Sequence, residues 1–230
     1  MRPTAKWSPS ARGTSALLAI VALICAACGS NAPRAAQPRE FVKRVDNPWF
    51  PLEPGTVFVY RGMKDGEPGR DVVTVTSRIK RVDGMPCTVV EDRLYVRGHL
   101  AERTADWYTQ DTKGNVWYCG EDTAELDESG KVTSREGSWE SGVDGARAGI
   151  LVLAHPQVGR SYLQEYYKGH AEDHAQVLRV SASELLTKEW TPLEPDVLDH
   201  KLYKRGIGLA KEETVKGGQE RWVLAHVRHR

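Results

Sequence analysis

Turn-forming residues punctuate this chain repeatedly once the first thirty or so residues are passed, with runs of strand length rather than long amphipathic helices between them. Asp65-Gly66-Glu67-Pro68-Gly69, Asp83-Gly84, Asp111-Thr112-Lys113-Gly114-Asn115 and Asp127-Glu128-Ser129-Gly130 supply residues that favour or tolerate positive φ. Between them lie runs rich in β-branched and aromatic residues, at 56–60, 71–79, 87–96, 100–110, 116–126 and 131–139. Alternating runs separated by such turns predict a mainly β fold, an antiparallel sandwich or (half-)barrel of roughly 9–11 strands with few short helices.

The remaining segments fit the same class. Pro48, Pro51 and Pro54 forbid helix across Asn47-Pro48-Trp49-Phe50-Pro51-Leu52-Glu53-Pro54-Gly55 and predict an extended, turning lead-in. The rhythm breaks between 140 and 159, where Ile150-Leu151-Val152-Leu153-Ala154 is the most apolar stretch outside the leader. Strand-like pattern returns at 162–167, 175–180, 200–203 and 220–227, with a glycine-kinked strand at Gly206-Ile207-Gly208-Leu209-Ala210. Ala171-Glu172-Asp173-His174-Ala175 reads as a strand start or a short helical turn.

The first residues read as an export signal. Arg2, Lys6 and Arg12 precede the apolar run Ala16-Leu17-Leu18-Ala19-Ile20-Val21-Ala22-Leu23-Ile24, and Ala26 and Ala27 follow it. A membrane-spanning helix needs about 20 apolar residues, whereas a cleaved leader needs about 7–15. Cys25-Ala26-Ala27-Cys28-Gly29-Ser30 resembles the bacterial lipobox, although Cys25 stands where that motif usually has Leu. The resemblance implies a signal peptide over 1–27, lipid on Cys28, and a mature protein anchored by several acyl chains, enough for stable attachment. The plainer alternative is an ordinary signal peptide cut after Ala27, which would leave an unpaired thiol in an oxidising compartment. Asn31-Ala32-Pro33-Arg34-Ala35-Ala36-Gln37-Pro38-Arg39-Glu40 has little to bury. The expected organisation is anchor and flexible tether over 28–45, then a single β-rich domain over 46–230.

The formal charge of +1 includes three leader cations, which leaves the mature chain near −2. Interspersed charge of this kind argues against a nucleic-acid partner. Within the domain only Cys87 and Cys119 remain, both on predicted strands. Export places them where disulfides persist, and a bridge closing about 30 residues would contribute on the order of 3 kcal/mol. Two independently buried thiols are the alternative.

Several segments together resemble a group of uncharacterised exported proteins and lipoproteins of bacteria. They are Asn47-Pro48-Trp49-Phe50-Pro51-Leu52-Glu53-Pro54-Gly55-Thr56, Asp106-Trp107-Tyr108-Thr109-Gln110-Asp111, Gly114-Asn115-Val116-Trp117-Tyr118, and Tyr203-Lys204-Arg205-Gly206-Ile207-Gly208-Leu209. The resemblance implies a β-rich exported domain and assigns no activity.

The chemistry-bearing candidates are few. Asp106, Asp111, Glu121 and Asp122 flank an aromatic hairpin. Carboxylates so grouped serve general acid–base work, as in glycoside hydrolysis, or gather Ca²⁺, which takes about six to eight oxygens. Solvated hairpin charge explains them equally well, and no Asp-x-Asp-x-Asp-Gly loop is present. His170 and His174 sit beside Glu172 and Asp173 without the His-Glu-x-x-His order of a zinc helix. There is no Gly-x-Ser-x-Gly elbow, no Ser-x-x-Lys, and no glycine loop leading into a helix.

With no cofactor indicated and no catalytic motif, the expectation is a non-enzymatic envelope lipoprotein held to the membrane through Cys28. Seven Trp and eight Tyr against three Phe suit a wall that is part apolar and part wet. Trp107, Tyr108, Trp117, Trp139 and Tyr166 are the expected lining of a concave face that takes a lipid-like or amphipathic ligand, or an envelope protein. The competing readings are sheet packing for the aromatic residues, a carbohydrate-directed hydrolase using Asp106 and Asp111, and a structural or assembly role.

Overall fold

A computed structural model describes residues 40–229; the leader, Cys28 and most of the spacer lie outside the described residues. Long strands come first: β1 (Phe41–Val42), β2 (Thr56–Lys64), β3 (Glu67–Val82), β4 (Met85–Val96), β5 (His99–Asp111) and β6 (Val116–Leu126). Shorter ones follow: β7 (Val132–Ser134), β8 (Trp139–Glu140), β9 (Arg147–Val152), β10 (Ser161–Leu163) and β11 (Glu165–Tyr166). The last group is β12 (His174–Val180), β13 (Glu184–Trp190), β14 (Leu198–Lys204), β15 (Gly208–Lys216) and β16 (Arg221–His229). No helix occurs among the described residues.

These strands make one antiparallel sheet in the order β10-β12-β13-β14-β15-β16-β2-β3-β4-β5-β6-β9-β11, with β1 on β5 and β7 and β8 on β6. The pairing of β16 with β2 joins the last strand to the first long one, so the sheet runs on instead of splitting into two layers. Its two ends then approach each other. The Tyr162 hydroxyl and the Gln164 amide both donate to the Leu151 carbonyl, at 3.4 and 3.2 Å, and the sheet is nearly closed into a barrel. Near-closure removes the unpaired edges that a sheet this wide would otherwise expose.

The mainly β class agrees with the sequence, while the count of sixteen strands exceeds the expected 9–11. The excess comes from β1, β9 and β13, which no expected strand covers, and from the expected strands at 131–139 and 162–167, which divide into β7 and β8 and into β10 and β11. Two boundaries also move. Phe41–Val42 falls within the expected tether yet pairs with Asp111 and Gln110. The glycine-kinked segment is a hairpin: Gly206 turns with φ 78° between β14 and β15, and a bulge lets Leu209 face Tyr203.

The proline-rich lead-in closes one end of the barrel. Asn47 donates from its side chain to the carbonyls of Gly114 (2.8 Å) and Leu153 (3.3 Å), and its Oδ1 accepts from the Trp49 amide at 2.8 Å. Gln110 Oε1 accepts the amides of Asp46 and Asn47. From this end Trp49, Phe50 and Leu52 pack into the main core, where Phe50 meets Tyr108 edge to face and Tyr108 stacks on Tyr118 at 4.9 Å. A second, smaller cluster lies on the outer face under Val82, Met85, Trp107 and Trp117.

Candidate binding cavity

Away from the plugged end the interior changes character from aromatic to acidic. On the faces of β13, β14 and β15 that turn inward, Glu189, Lys201, Asp199 and Glu212 replace the apolar residues a barrel interior usually carries. Lys201 pairs with Glu189 at 2.8 Å and lies 3.7 Å from Glu212, with the Lys201 and Glu189 side chains only 4 % and 5 % exposed. Thr187 donates its hydroxyl to Glu189 at 3.0 Å, and Tyr203 points its own at the same oxygen from 3.5 Å. Burial opposes the charge on Lys201, yet the carboxylates of Glu189 and Glu212 hold its pKa above the ordinary lysine value.

Above this network the interior opens into a cavity of about 390 Å³, within the range typical of small-molecule sites. Its mouth lies between the β2–β3 turn at Asp65-Gly66 and the β15–β16 loop at Gly217-Gly218. Leu94, Val197 and Leu209 supply apolar wall, Tyr60 and Trp222 aromatic wall. Seven carboxylates line the space and no basic side chain does, Asp71, Asp92, Asp199 and Glu212 standing deepest. Burial lifts Glu212 to about 7, with Lys201 offsetting part of the shift, and lifts Asp199 to about 6, with the Thr214 hydroxyl and Lys201 offsetting. Tyr60 is pushed upward by burial and by Asp71 and Asp92 beside it, and it donates its hydroxyl to the Leu209 carbonyl at 3.0 Å.

One wall of the cavity is built by two missing side chains. Trp222, Gly62 and Gly69 stand directly opposite one another across β16, β2 and β3. A Cβ on either glycine would collide with the six-membered ring of the indole, so only glycine lets the ring lie across both strands. The sequence reading missed this close approach, because Gly62 follows the expected strand at 56–60 and Gly69 closes the expected turn at 65–69.

The aromatic residues expected to share a concave face do not come together. Tyr108 and Trp139 belong to the packed main core, Trp139 edge-on to Tyr118 at 5.4 Å. Trp107 and Trp117 face the other side of the sheet, where the Lys80 ammonium sits 3.1 Å from the Trp107 ring centre and Phe41 packs edge-on to Trp117. Tyr166 lies under the Arg147 guanidinium at 4.3 Å. None of the five lines the acidic cavity.

The acidic hairpin residues are likewise dispersed. Asp111 accepts from the amides of Lys113 and Asn115, the Asn115 side chain and the Trp117 indole, all at 2.9 Å, and so shapes the β5–β6 loop. Asp106 points inward, where the Tyr118 hydroxyl donates to it at 2.8 Å and burial lifts it to about 7, with Asp92 adding to the shift. Five residues along one strand separate the two by about 16 Å, on opposite faces, too far for a paired acid and base. Asp122 pairs with Arg135 on the exposed surface, and Glu121 sits opposite Asp106 in register. Among the described residues no group of three or more His, Cys, Asp or Glu converges to hold a metal ion. His170 stacks on Tyr167 and His174 on Trp190.

Cys87 and Cys119 sit on β4 and β6, with β5 between them. A bulge in β6 opposite Trp107 and Tyr108 swings Cys119 across the intervening strand, and the two buried thiols lie 2.8 Å apart as free cysteines. Burial raises the Cys119 pKa well above the ordinary thiol value.

Fold and cavity together define the class: a nearly closed antiparallel barrel, plugged at one end and opening at the other into an acidic, aromatic-walled cavity. No family model and no curated protein sequence matches the chain. Among solved structures it is similar to an exported-protein candidate of Bacteroides fragilis with a YmcC-like fold. That likeness has a TM-score of 0.42 and 13% sequence identity, over 78% of this chain and 98% of the other.

Proposed function

We propose that this chain is an exported lipoprotein, anchored through Cys28, whose barrel binds a small amphipathic ligand without transforming it. The observation that carries the binding role is the 390 Å³ cavity, where Leu94, Val197, Leu209 and Trp222 share one lining with a set of carboxylates. A site that combines apolar and charged wall favours a molecule that carries both kinds of surface. The export role rests on the basic start, short apolar run and Cys28 of the leader. In the oxidising compartment beyond the membrane, Cys87 and Cys119 join as a disulfide that ties β4 to β6.

The test is native mass spectrometry of the domain from Asn31 onward, exported by its producing cell and purified without detergent. A reproducible added mass on the folded monomer supports the binding role. A bare monomer that also leaves envelope extracts undepleted of small molecules overturns it. For the anchor, the mass of the full-length product carries the lipid; a Cys28→Ser variant released from membranes at the leader-cleaved mass supports the reading, and unchanged membrane association defeats it.

A further inference from the structure

We propose that the ligand of this cavity is an organic cation, an amine or quaternary ammonium carried on a compact apolar body. The inference rests on the binding role proposed above and names the class of molecule. The cavity presents seven carboxylates and no Lys, Arg or His along its wall. The nearest ammonium, Lys201, is already committed to Glu189 and Glu212 inside the barrel. A carboxylate-bearing ligand would add charge of the same sign to a space with low dielectric, at high cost. A cation would instead relieve the mutual repulsion of Asp71, Asp92, Asp199 and Glu212.

The shape of the wall separates an organic cation from a metal ion. A bare Ca²⁺ or Mg²⁺ requires oxygens within about 2.6 Å of one point, and no three carboxylates converge in that way among the described residues. The acids are spread around a volume sized for a molecule. The same lining holds the Trp222 indole, given its place by Gly62 and Gly69, together with Leu94 and Leu209. Tryptophan is the aromatic ring that best attracts an ammonium, and the aliphatic residues take the attached apolar body. Acids and indole together take the cation, and Leu94 and Leu209 take the apolar body.

Ionisation of the acids is linked to its capture. Glu212, lifted to about 7, and Asp199, lifted to about 6, take up protons as pH falls below those values, and a bound cation favours their charged forms. The groups around them are Glu189 and Lys201 on β13 and β14, Thr214 on β15, Glu220 just before β16, Glu194 in the β13–β14 loop, Tyr60 on β2, Asp71 on β3 and Asp92 on β4. Lys201 remains charged throughout, so binding expels protons from the acids and tightens as pH rises from about 5 to 8.

The experiment uses the anchored chain's secreted domain and three probes of equal shape: 3-phenylpropylamine, 3-phenylpropanol and 3-phenylpropionate, followed by calorimetry and tryptophan fluorescence. The expected result is binding of the amine at least tenfold tighter than of the alcohol, no binding of the carboxylate, and a further gain from pH 5.5 to 8. Asp199→Asn and Glu212→Gln each weaken the amine tenfold or more without changing the melting profile beyond a few degrees. Asp122→Asn, on the outer surface, leaves it unchanged. Equal affinity for amine and alcohol overturns the cation assignment while the amphipathic cavity stands. Absence of binding by all three, together with a bare mass in the native spectrum, overturns the cavity reading itself. Should Asp199→Asn fail to fold, Asp71→Asn on the wall of the same cavity carries the test.

Discussion

The Lys201 ammonium lies 2.8 Å from Glu189 Oε2 inside the barrel, both side chains almost wholly removed from solvent. A buried pair of this kind contributes little net stability over an apolar replacement, but losing one partner strands the other. Lys201→Met therefore leaves Glu189 and Glu212 facing each other uncompensated. It lowers unfolding free energy by about 3–5 kcal/mol at pH 8. The loss shrinks at pH 5.5, where Glu212 accepts a proton, and Lys201→Met combined with Glu189→Leu recovers most of it. Urea titrations at the two pH values read both effects.

Stability of the empty domain has a pH dependence opposite in sign to that of an ordinary salt-bridged protein. Burial raises Asp106 to about 7, Asp199 to about 6 and Glu212 to about 7. Between pH 4 and 7 the folded chain holds protons on these acids that the unfolded chain has released, so stability falls as pH rises across that window. The fall is on the order of 3 kcal/mol once mutual coupling is allowed for. Denaturant midpoints at pH 5 and pH 8 measure it. A saturating organic cation flattens the dependence.

Asp111 is an architectural residue. Its two oxygens accept four hydrogen bonds that set the β5–β6 loop and fix the Trp117 indole. Asp111→Ala orphans these donors and lowers stability by about 2–4 kcal/mol, with cavity binding of 3-phenylpropylamine retained in the folded fraction. Thermal unfolding and calorimetry at low temperature separate the two effects.

The disulfide proposed for the exported domain rests on the Cys87 and Cys119 sulfurs, which lie 2.8 Å apart across β5, and predicts the following. The intact secreted domain has the mass of two hydrogens fewer than its reduced form, and neither cysteine reacts with alkylating reagents until the bridge is reduced. Cys119→Ala lowers stability by about 2–4 kcal/mol only in the oxidised protein. A cytoplasmically expressed, reduced domain shows the smaller loss of a buried side chain.

Much of this barrel is legible in the sequence where its interior is apolar. The strands from Thr56 to Leu126 alternate β-branched and aromatic residues against turns, and all of β2 to β6 are anticipated, although β2 and β3 extend beyond the expected 56–60 and 71–79 to Thr56–Lys64 and Glu67–Val82. Legibility ends where the interior becomes acidic. On β13 the inward residues are Leu185, Thr187 and Glu189, while Leu186 lies on the other face, so hydrophobic alternation is erased and the strand goes unread. Asp199, Lys201 and Glu212 look like solvated surface for the same reason. The aromatic hairpin, by contrast, attracts attention through composition alone, yet Tyr108 and Tyr118 spend their area on packing. The two residues that give the cavity its wall, Tyr60 and Trp222, stand apart in sequence and meet only because β16 pairs with β2. No local pattern encodes that closure.

The measurement that tests the central claim most directly is the set of indole N–H signals in a nitrogen-15 spectrum of the domain, titrated with 3-phenylpropylamine. The domain has six tryptophans, Trp49, Trp107, Trp117, Trp139, Trp190 and Trp222, and each indole reports its own surroundings. The account predicts that the Trp222 signal moves saturably while those of Trp107, Trp117 and Trp139 stay in place. Saturable movement of Trp107 or Trp117 with Trp222 unmoved would contradict it and place binding on the outer face of the sheet.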